Sequence, residues 1–434
     1  MDFSSPYTLI IISSIVLILS FVFGEVSKRT SIPAVLMLIV LGVFMKLGMD
    51  AIGTGNIDFF PILELLGIVG LIMIVLEAAL ELKLERNKLV PISMAFGIAL
   101  LGLLLSTWLT AEVLNYFIDF CEGGECHDAK WKAWIYATPL SILSSAIIIP
   151  SVTNLRSDKK EFHIYESTFS DILGIMLFYF LTSQVSASGE TSHGGGFLSF
   201  GISTLLTIVI SFIASYILVL VFQKIESHVK LFLLIATLLL LYAIGKKLHL
   251  SSLIIILIFG LLIANMDLFF IGPLKKWLDK KKAHEIYHGL HVITMETAFV
   301  VRTFFFVIFG ITIVFSDLAS WSVVGISLIC LALIYIVRFV LLRGTLGNDL
   351  VPQLYIAPRG LITILLFYAI PEFMRIEAFS PGILLFIILG SSVIMTVSLI
   401  INKKRNNKAI SNVLALDISE TKWKVPEMNN KYGK

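Results

Sequence analysis

The segment Glu166-Ser167-Thr168-Phe169-Ser170-Asp171-Ile172-Leu173-Gly174 sets carboxylates into a stretch otherwise apolar enough for hydrocarbon. Counted as a helix from His163, Asp171 lies about 12 Å in, at roughly 1.5 Å per residue. Ser167, Asp171 and Gly174 share one face through i, i+4 and i+3 spacing. That face offers a hydroxyl, a carboxylate and a gap that backbone can approach. A carboxylate at such depth is costly and marks a functional site by default. Burial disfavours its charged form, so it can hold a proton. Once deprotonated it can coordinate a hard cation together with neighbouring oxygens. One carboxylate cannot serve both at once, and that competition is enough to couple cation movement to proton counter-movement. The plainer reading is a structural aspartate bonded to backbone.

Arginines supply the complement. Arg338 lies near the end of another apolar stretch, at a depth close to that of Glu166, which predicts a structural Glu166–Arg338 ion pair. Arg359 sits at about the depth of Asp171, between Pro358 and Gly360, where it can neutralise the C-terminal end of a half-helix. Arg302 is mid-span, and spacing assigns it no partner. Glu64, Glu77 and Glu296 are the other intramembrane acids, with Glu77 close enough to a span end to snorkel. His284, His288 and His291 recur at i, i+4 and i+7, which reads as a solvated interfacial face or as a pH-sensing one.

The elements that must position these groups are membrane helices. Of 434 residues, 57% are hydrophobic and only 15% charged, against about 25% charged in a soluble protein. The apolar residues come in blocks long enough to cross about 30 Å of hydrocarbon. About thirteen blocks are expected, beginning near Tyr7, Ser31, Phe59, Leu89, Ala133, His163, Phe197, Lys230, Ser251, Leu290, Trp321, Leu350 and Pro381. The fold class is therefore an all-α polytopic membrane protein.

Lysine and arginine concentrate on alternate connections, among them Lys28-Arg29, Arg156/Lys159/Lys160 and Lys280-Lys281-Lys282. The positive-inside rule then predicts an outer N-terminus and a cytoplasmic C-terminus in the plasma (inner) membrane. Lys246-Lys247 is the exception. The membrane domain is expected over 1–402 and a basic, polar and partly disordered tail over 403–434. The connection Met266–Gly289 reads as an interfacial amphipathic helix. Cys121 and Cys126 flank a predicted external loop, where a disulfide is one reading; Cys330 reads as packing. The chain carries no intramembrane His-rich metal cluster, Ser/His/Asp set or phosphate-binding loop, which speaks against an enzyme and against any cofactor or metal. The charge balance of +3 is an orientation signal rather than a nucleic-acid footprint.

Two spans are interrupted. The first holds Pro139 and Pro150; the second holds Pro358, Gly360 and Pro371. Proline removes a helical hydrogen bond, so each span is expected to break near mid-membrane. Counted as spans five and twelve they run in opposite directions, the pattern of an inverted-repeat transporter. Two ordinary proline-kinked helices are the alternative.

The order of four stretches resembles the cation–proton antiporter superfamily over about residues 7–402. Val75-Leu76-Glu77-Ala78-Ala79-Leu80-Glu81-Leu82 looks like the acidic end of that family's third span. Glu166-Ser167 with Ser170-Asp171 is similar to the Glu-Ser…Asn-Asp motif of the electroneutral sodium/proton exchanger branch. Arg302 to Gly310 resembles its Phe-rich span, and Ala357-Pro358-Arg359-Gly360-Leu361 its Gly-Leu-Arg-Gly element. The resemblance implies two broken crossing helices, a dimerisation domain and hence a homodimer, and a mobile core. It implies monovalent cation/proton antiport by alternating access, with Asp171 as the shared site and Glu166 as a structural partner. A single aspartate implies electroneutral exchange. Two departures are visible. Ala137-Thr138-Pro139-Leu140 carries no acid where the family usually has Thr-Asp-Pro, and Ser170 stands where Asn is usual. Cation binding then leans on Thr138, Ser167 and Ser170, with Ser141, Ser144, Ser145 and backbone carbonyls, which leaves sodium, potassium and lithium open. A non-transporting, ion-sensing module acting with a partner protein is the alternative.

Overall fold

A computed structural model describes residues 6–420 except 31, 53–58, 85–87, 121–128, 154, 185–195, 228, 248–251, 271–277, 314–319, 348–349 and 377. Those residues are helical almost throughout. In chain order the helices are α1 (Pro6–Thr30), α2 (Ala34–Ile52), α3 (Phe60–Glu81), α4 (Leu89–Phe117), α5 (Ala129–Ser141), α6 (Ser145–Ser151), α7 (Ser157–Gln184) and α8 (Gly196–Phe222). They continue with α9 (Lys230–Lys247), α10 (Ser252–Ala264), α11 (Met266–Phe269), α12 (Lys280–Thr312), α13 (Trp321–Leu346), α14 (Leu361–Tyr368) and α15 (Pro381–Glu420).

Among the described residues, ten helical stretches are long and apolar enough to cross a membrane, α5 and α6 counting as one. The other three expected spans correspond to α9, which carries three lysines, to the 13-residue α10, and to the interrupted stretch ending in α14. Helices dominate because hydrocarbon offers lipid-exposed backbone groups no water to bond.

The helices pack as two groups. In the first, α12 packs on both α2 and α3, α10 packs on α3, α8 and α9, and α1 lies against α2. The α2–α12 contact is close because glycines face each other. A Cβ on Gly42 would meet the Val307 carbonyl, and one on Gly310 would meet the Ile39 carbonyl. Small residues of this kind let membrane helices approach backbone to backbone. In the second group, α4 packs on α5, α7 and α13, α7 packs on α5 and α6, and α13 packs on α15. The two broken spans belong to this second group, with α14 lying against α5.

The expected interfacial helix Met266–Gly289 has its centre, residues 271–277, outside the described residues. Residues 266–269 make one turn, and α12 starts at Lys280 because Asp279 caps it, accepting from the Lys281 and Lys282 N–H groups at 3.1 and 3.3 Å. With no proline from 280 to 312, the helix runs unbroken into the membrane, 33 residues in all. His284 and His288 are exposed on its first turns, and His291 is half-buried. The last helix runs on past residue 402 to Glu420. Cys121 and Cys126 lie outside the described residues, while Cys330 is a buried free thiol.

Candidate cation and proton site

Pro139 lies inside α5 and Pro150 inside α6, and the break falls between them. α5 ends at Ser141, residues 142–144 are extended, and α6 begins at Ser145. In the second broken span, residues 356–360 are non-helical before α14 starts at Leu361. The two non-helical segments touch where the Ser144 N–H donates to the Pro358 carbonyl at 3.0 Å. Non-helical backbone inside a membrane needs such partners, since lipid offers none.

Arg359 supplies others. Its Nε donates to the Leu140 carbonyl at 3.0 Å, at the C-terminal end of α5, and its Nη1 to Ala357 at 2.8 Å. Its own N–H donates to the Ser391 hydroxyl of α15 at 3.0 Å. The guanidinium therefore sits at the negative end of a half-helix, where a cation is electrostatically favoured.

Asp171, on α7, is 2% exposed and faces the first break. Its Oδ2 accepts from the Ser145 N–H at 3.3 Å. Its Oδ1 is buried without a partner. Ser170 beside it accepts from the Leu143 N–H at 3.0 Å, pinning the extended segment to α7. Gly174 makes room one turn on, where a Cβ would collide with the Ile142 side chain. The hydroxyls of Ser144 and Thr168 are also buried without partners.

The remaining expected oxygens are arranged differently. Thr138 donates to the Trp134 carbonyl at 2.8 Å, and Ser167 to His163 at 2.7 Å, so both hydroxyls are turned back onto their own helices. Ser141 does the same with Ala137. The group facing Asp171 is instead Ser145, at the first turn of α6. Its backbone N–H became available because the break frees the first amides of the new helix, a signal already present in Pro139 and Pro150.

Glu166, five residues before Asp171 on α7, has a different environment. Arg338 of α13 grips it with both ends of its fork, Nη1 to Oε1 at 2.6 Å and Nη2 to Oε2 at 2.9 Å. Arg338 also donates to the Gln353 and Leu354 carbonyls at 3.0 Å each, using Nη2 and Nε. The His163 ring, fully buried, brings Nδ1 to 3.4 Å from Glu166 Oε2. His163 and Gln353 carry no charge pattern in the sequence and were not anticipated as neighbours of this pair.

Arg302 does have a partner. Its Nη2 donates to Glu77 Oε2 at 2.7 Å, which replaces the snorkelling reading of Glu77. The reason is geometric: α3 and α12 pack face to face, so both charges meet inside the fold rather than at the interface. Both line a cleft of about 410 Å³ between α1, α2, α3, α6 and α12. The cleft reaches Ser145, the residue bonded to Asp171, and Glu25 and Glu81 also border it. Among the described residues, no group of three or more His, Cys, Asp or Glu side chains is arranged to hold a metal ion.

The fold has known counterparts. The structure of the sodium proton antiporter MjNhaP1 from Methanocaldococcus jannaschii at pH 8 superposes with a TM-score of 0.65 at 18% identity, covering 92% of this chain and 99% of that one. A second structure of the same antiporter, from electron microscopy, gives a TM-score of 0.58 at 18% identity, over 99% and 100% of the two chains. These likenesses define the fold. No curated protein sequence matches the chain. The family described as "Sodium/hydrogen exchanger, transmembrane" matches residues 14–403, nearly the whole helical region. The chain thus belongs to the sodium/hydrogen exchanger family and is a multi-pass membrane antiporter of cations and protons, not an enzyme.

Proposed function

We propose that the protein exchanges a monovalent cation, Na⁺ or alternatively K⁺ or Li⁺, for protons at Asp171, one for one and by alternating access. The observation that carries this reading is the state of the Asp171 carboxylate: buried, held on one oxygen by Ser145, and with the other oxygen free of any donor. A free oxygen in a dry site must take either a proton or a cation, since an unpaired charge there is prohibitively costly. Cation ligands come from the Asp171 carboxylate, the unpartnered Ser144 hydroxyl and neighbouring backbone carbonyls. Ser170, Ser167 and Thr138 stay in the ligand set, because each hydroxyl oxygen keeps a lone pair beside its present hydrogen bond. Glu166, Arg338 and Arg359 hold the breaks and the helix in register and take no part in the exchange.

One titrating carboxylate supports electroneutral stoichiometry, because binding of either ion leaves the same net charge on the site. Division of the helices into two packed groups supports relative motion between them. The inner end of the cleft beside Ser145 supports access to Asp171 from one face. By the distribution of lysines and arginines that face is cytoplasmic, in the plasma (inner) membrane, with the N-terminus outside. Residues 1–402 form the membrane domain, and 403–434 the cytoplasmic tail. A homodimer is the assembly we expect from the resemblance.

The test is reconstitution in liposomes with an imposed pH gradient and an internal pH dye. Na⁺, K⁺, Li⁺ or choline is added in turn to wild type and to Asp171→Asn. Dissipation by at least one alkali cation in wild type, lost in the variant, is the expected result. It should persist when valinomycin clamps the membrane potential. No cation-dependent proton flux from folded wild type would overturn the proposal and favour the ion-sensing alternative.

A further inference from the structure

Pro150 has no N–H to donate to the Ala146 carbonyl four residues earlier. That leaves an acceptor in α6 that its own helix cannot serve. Arg302 serves it from another helix, Nη1 donating to the Ala146 oxygen at 3.2 Å while Nη2 holds Glu77 at 2.7 Å. Glu77 and Arg302 belong to α3 and α12, in the first helix group. Ala146 belongs to α6, in the second, and follows directly on Ser145, the donor to Asp171. A single guanidinium therefore ties the scaffold of one group to the half-helix that carries the exchange site's partner.

The contrast with Arg359 is informative. Arg359 serves the Leu140 carbonyl at the other side of the same break, but it comes from the second group itself. Any movement between the groups carries Arg359 along and strains Arg302. The Glu77 and Arg302 side chains are 15% and 17% exposed, at the wall of the cleft, so water can take their place when the contact opens. Arginine suits the position because its planar fork serves two acceptors at once, which a lysine ammonium cannot do in the same fixed geometry.

We propose that Arg302, seated between Glu77 and the Ala146 carbonyl, is a latch that holds the two helix groups in the cleft-open state and so positions Asp171 for exchange from that face. The inference rests on the alternating-access reading above, but its test can be read without transport. In the full chain, with Cys121 and Cys126 changed to Ser and Cys330 to Ala, the cleft-lining Ser151 is replaced by Cys and its reaction rate with a water-soluble maleimide is measured. Arg302→Met and Glu77→Gln should each slow that reaction by about threefold or more, because the cleft-open fraction falls. The apparent KM for Na⁺ offered at the cleft face should rise by the same factor, since affinity scales with the competent fraction. Arg302→Lys should fall between wild type and Arg302→Met.

A purely structural role would lower melting temperature and the yield of active protein while leaving labelling rate and KM unchanged in the folded fraction. That result overturns the latch. If Arg302→Met does not fold, Glu77→Gln, which keeps a hydrogen-bond acceptor, decides the matter. Absence of cation-dependent flux in wild type would sink the antiport reading alone, for the labelling rates would still report the latch.

Discussion

Glu166 and Asp171 are five residues apart on one helix, both almost completely buried, yet their surroundings are opposites. Glu166 is saturated: two guanidinium bonds, a histidine at its edge, and an arginine itself tied to two backbone carbonyls. Asp171 is starved: one long backbone bond and an oxygen with nothing. A buried carboxylate whose partners are all permanent has no vacancy for a mobile ion. One that lacks partners must find them among mobile species. The difference separates a carboxylate that holds the fold from one that turns over, although both are acids on the same apolar helix.

The comparison can be broken most severely at Asp171. Asp171→Asn should lower exchange at least about 100-fold, the loss expected when a group needed in every cycle is removed. Its melting temperature should stay near wild type, because no ion pair is lost. Retained exchange would make Asp171 as structural as Glu166.

Next in size are Glu166→Gln and Arg338→Ala, each leaving an uncompensated buried charge. Breaking a buried pair costs about 3–5 kcal/mol, so both variants should melt well below wild type in detergent, with the apparent KM for the cation in the surviving folded protein within about twofold. A large KM change without loss of stability would put Glu166 in the exchange site. The double variant Glu166→Gln with Arg338→Met should recover part of the lost stability, since it removes both charges together. If the two losses simply add, the pair is not the unit we describe.

The smallest effect is expected at Ser170. Ser170→Ala leaves the buried Leu143 N–H without its acceptor, worth about 1–3 kcal/mol, and loosens the extended segment beside Asp171. A modest rise in KM with little change in maximal rate would sharpen the picture of Ser170 as chiefly a pin. Loss of exchange comparable to Asp171→Asn would make it an essential ligand.

Much of this was legible in the residues. Pro139, Pro150, Pro358 and Gly360 mark both breaks, because proline's missing N–H acts wherever the chain goes. Asp171 stands out since an acid in hydrocarbon is expensive in any fold. The depth argument that brings Glu166 and Arg338 to one level needs only helix rise, and the structure has them in contact. Three things were not legible. The Thr138 and Ser167 hydroxyl protons each turn onto the preceding turn of their own helix, a choice that sequence leaves open. His163 and Gln353 show no pattern that ties them to the ion pair. Glu77 resembled a snorkelling acid because its distance from the span end is visible and the identity of the facing helix is not.

By itself, then, the sequence determined the medium, the helices, the places where they break and which acid is anomalous. Each of those follows from local chemistry: hydropathy over a span, a missing amide hydrogen, a charge with no nearby counter-charge along the chain. The tertiary structure alone decided which donors each carboxylate receives. Arg338 comes to Glu166 from 172 residues away, Arg359 to Leu140 from 219, and Arg302 to Glu77 from 225. Those pairings depend on which helix faces register at a crossing, with close approach where glycines such as Gly42 and Gly310 permit it. A starved carboxylate and a saturated one differ in that facing surface, not in their own residue type.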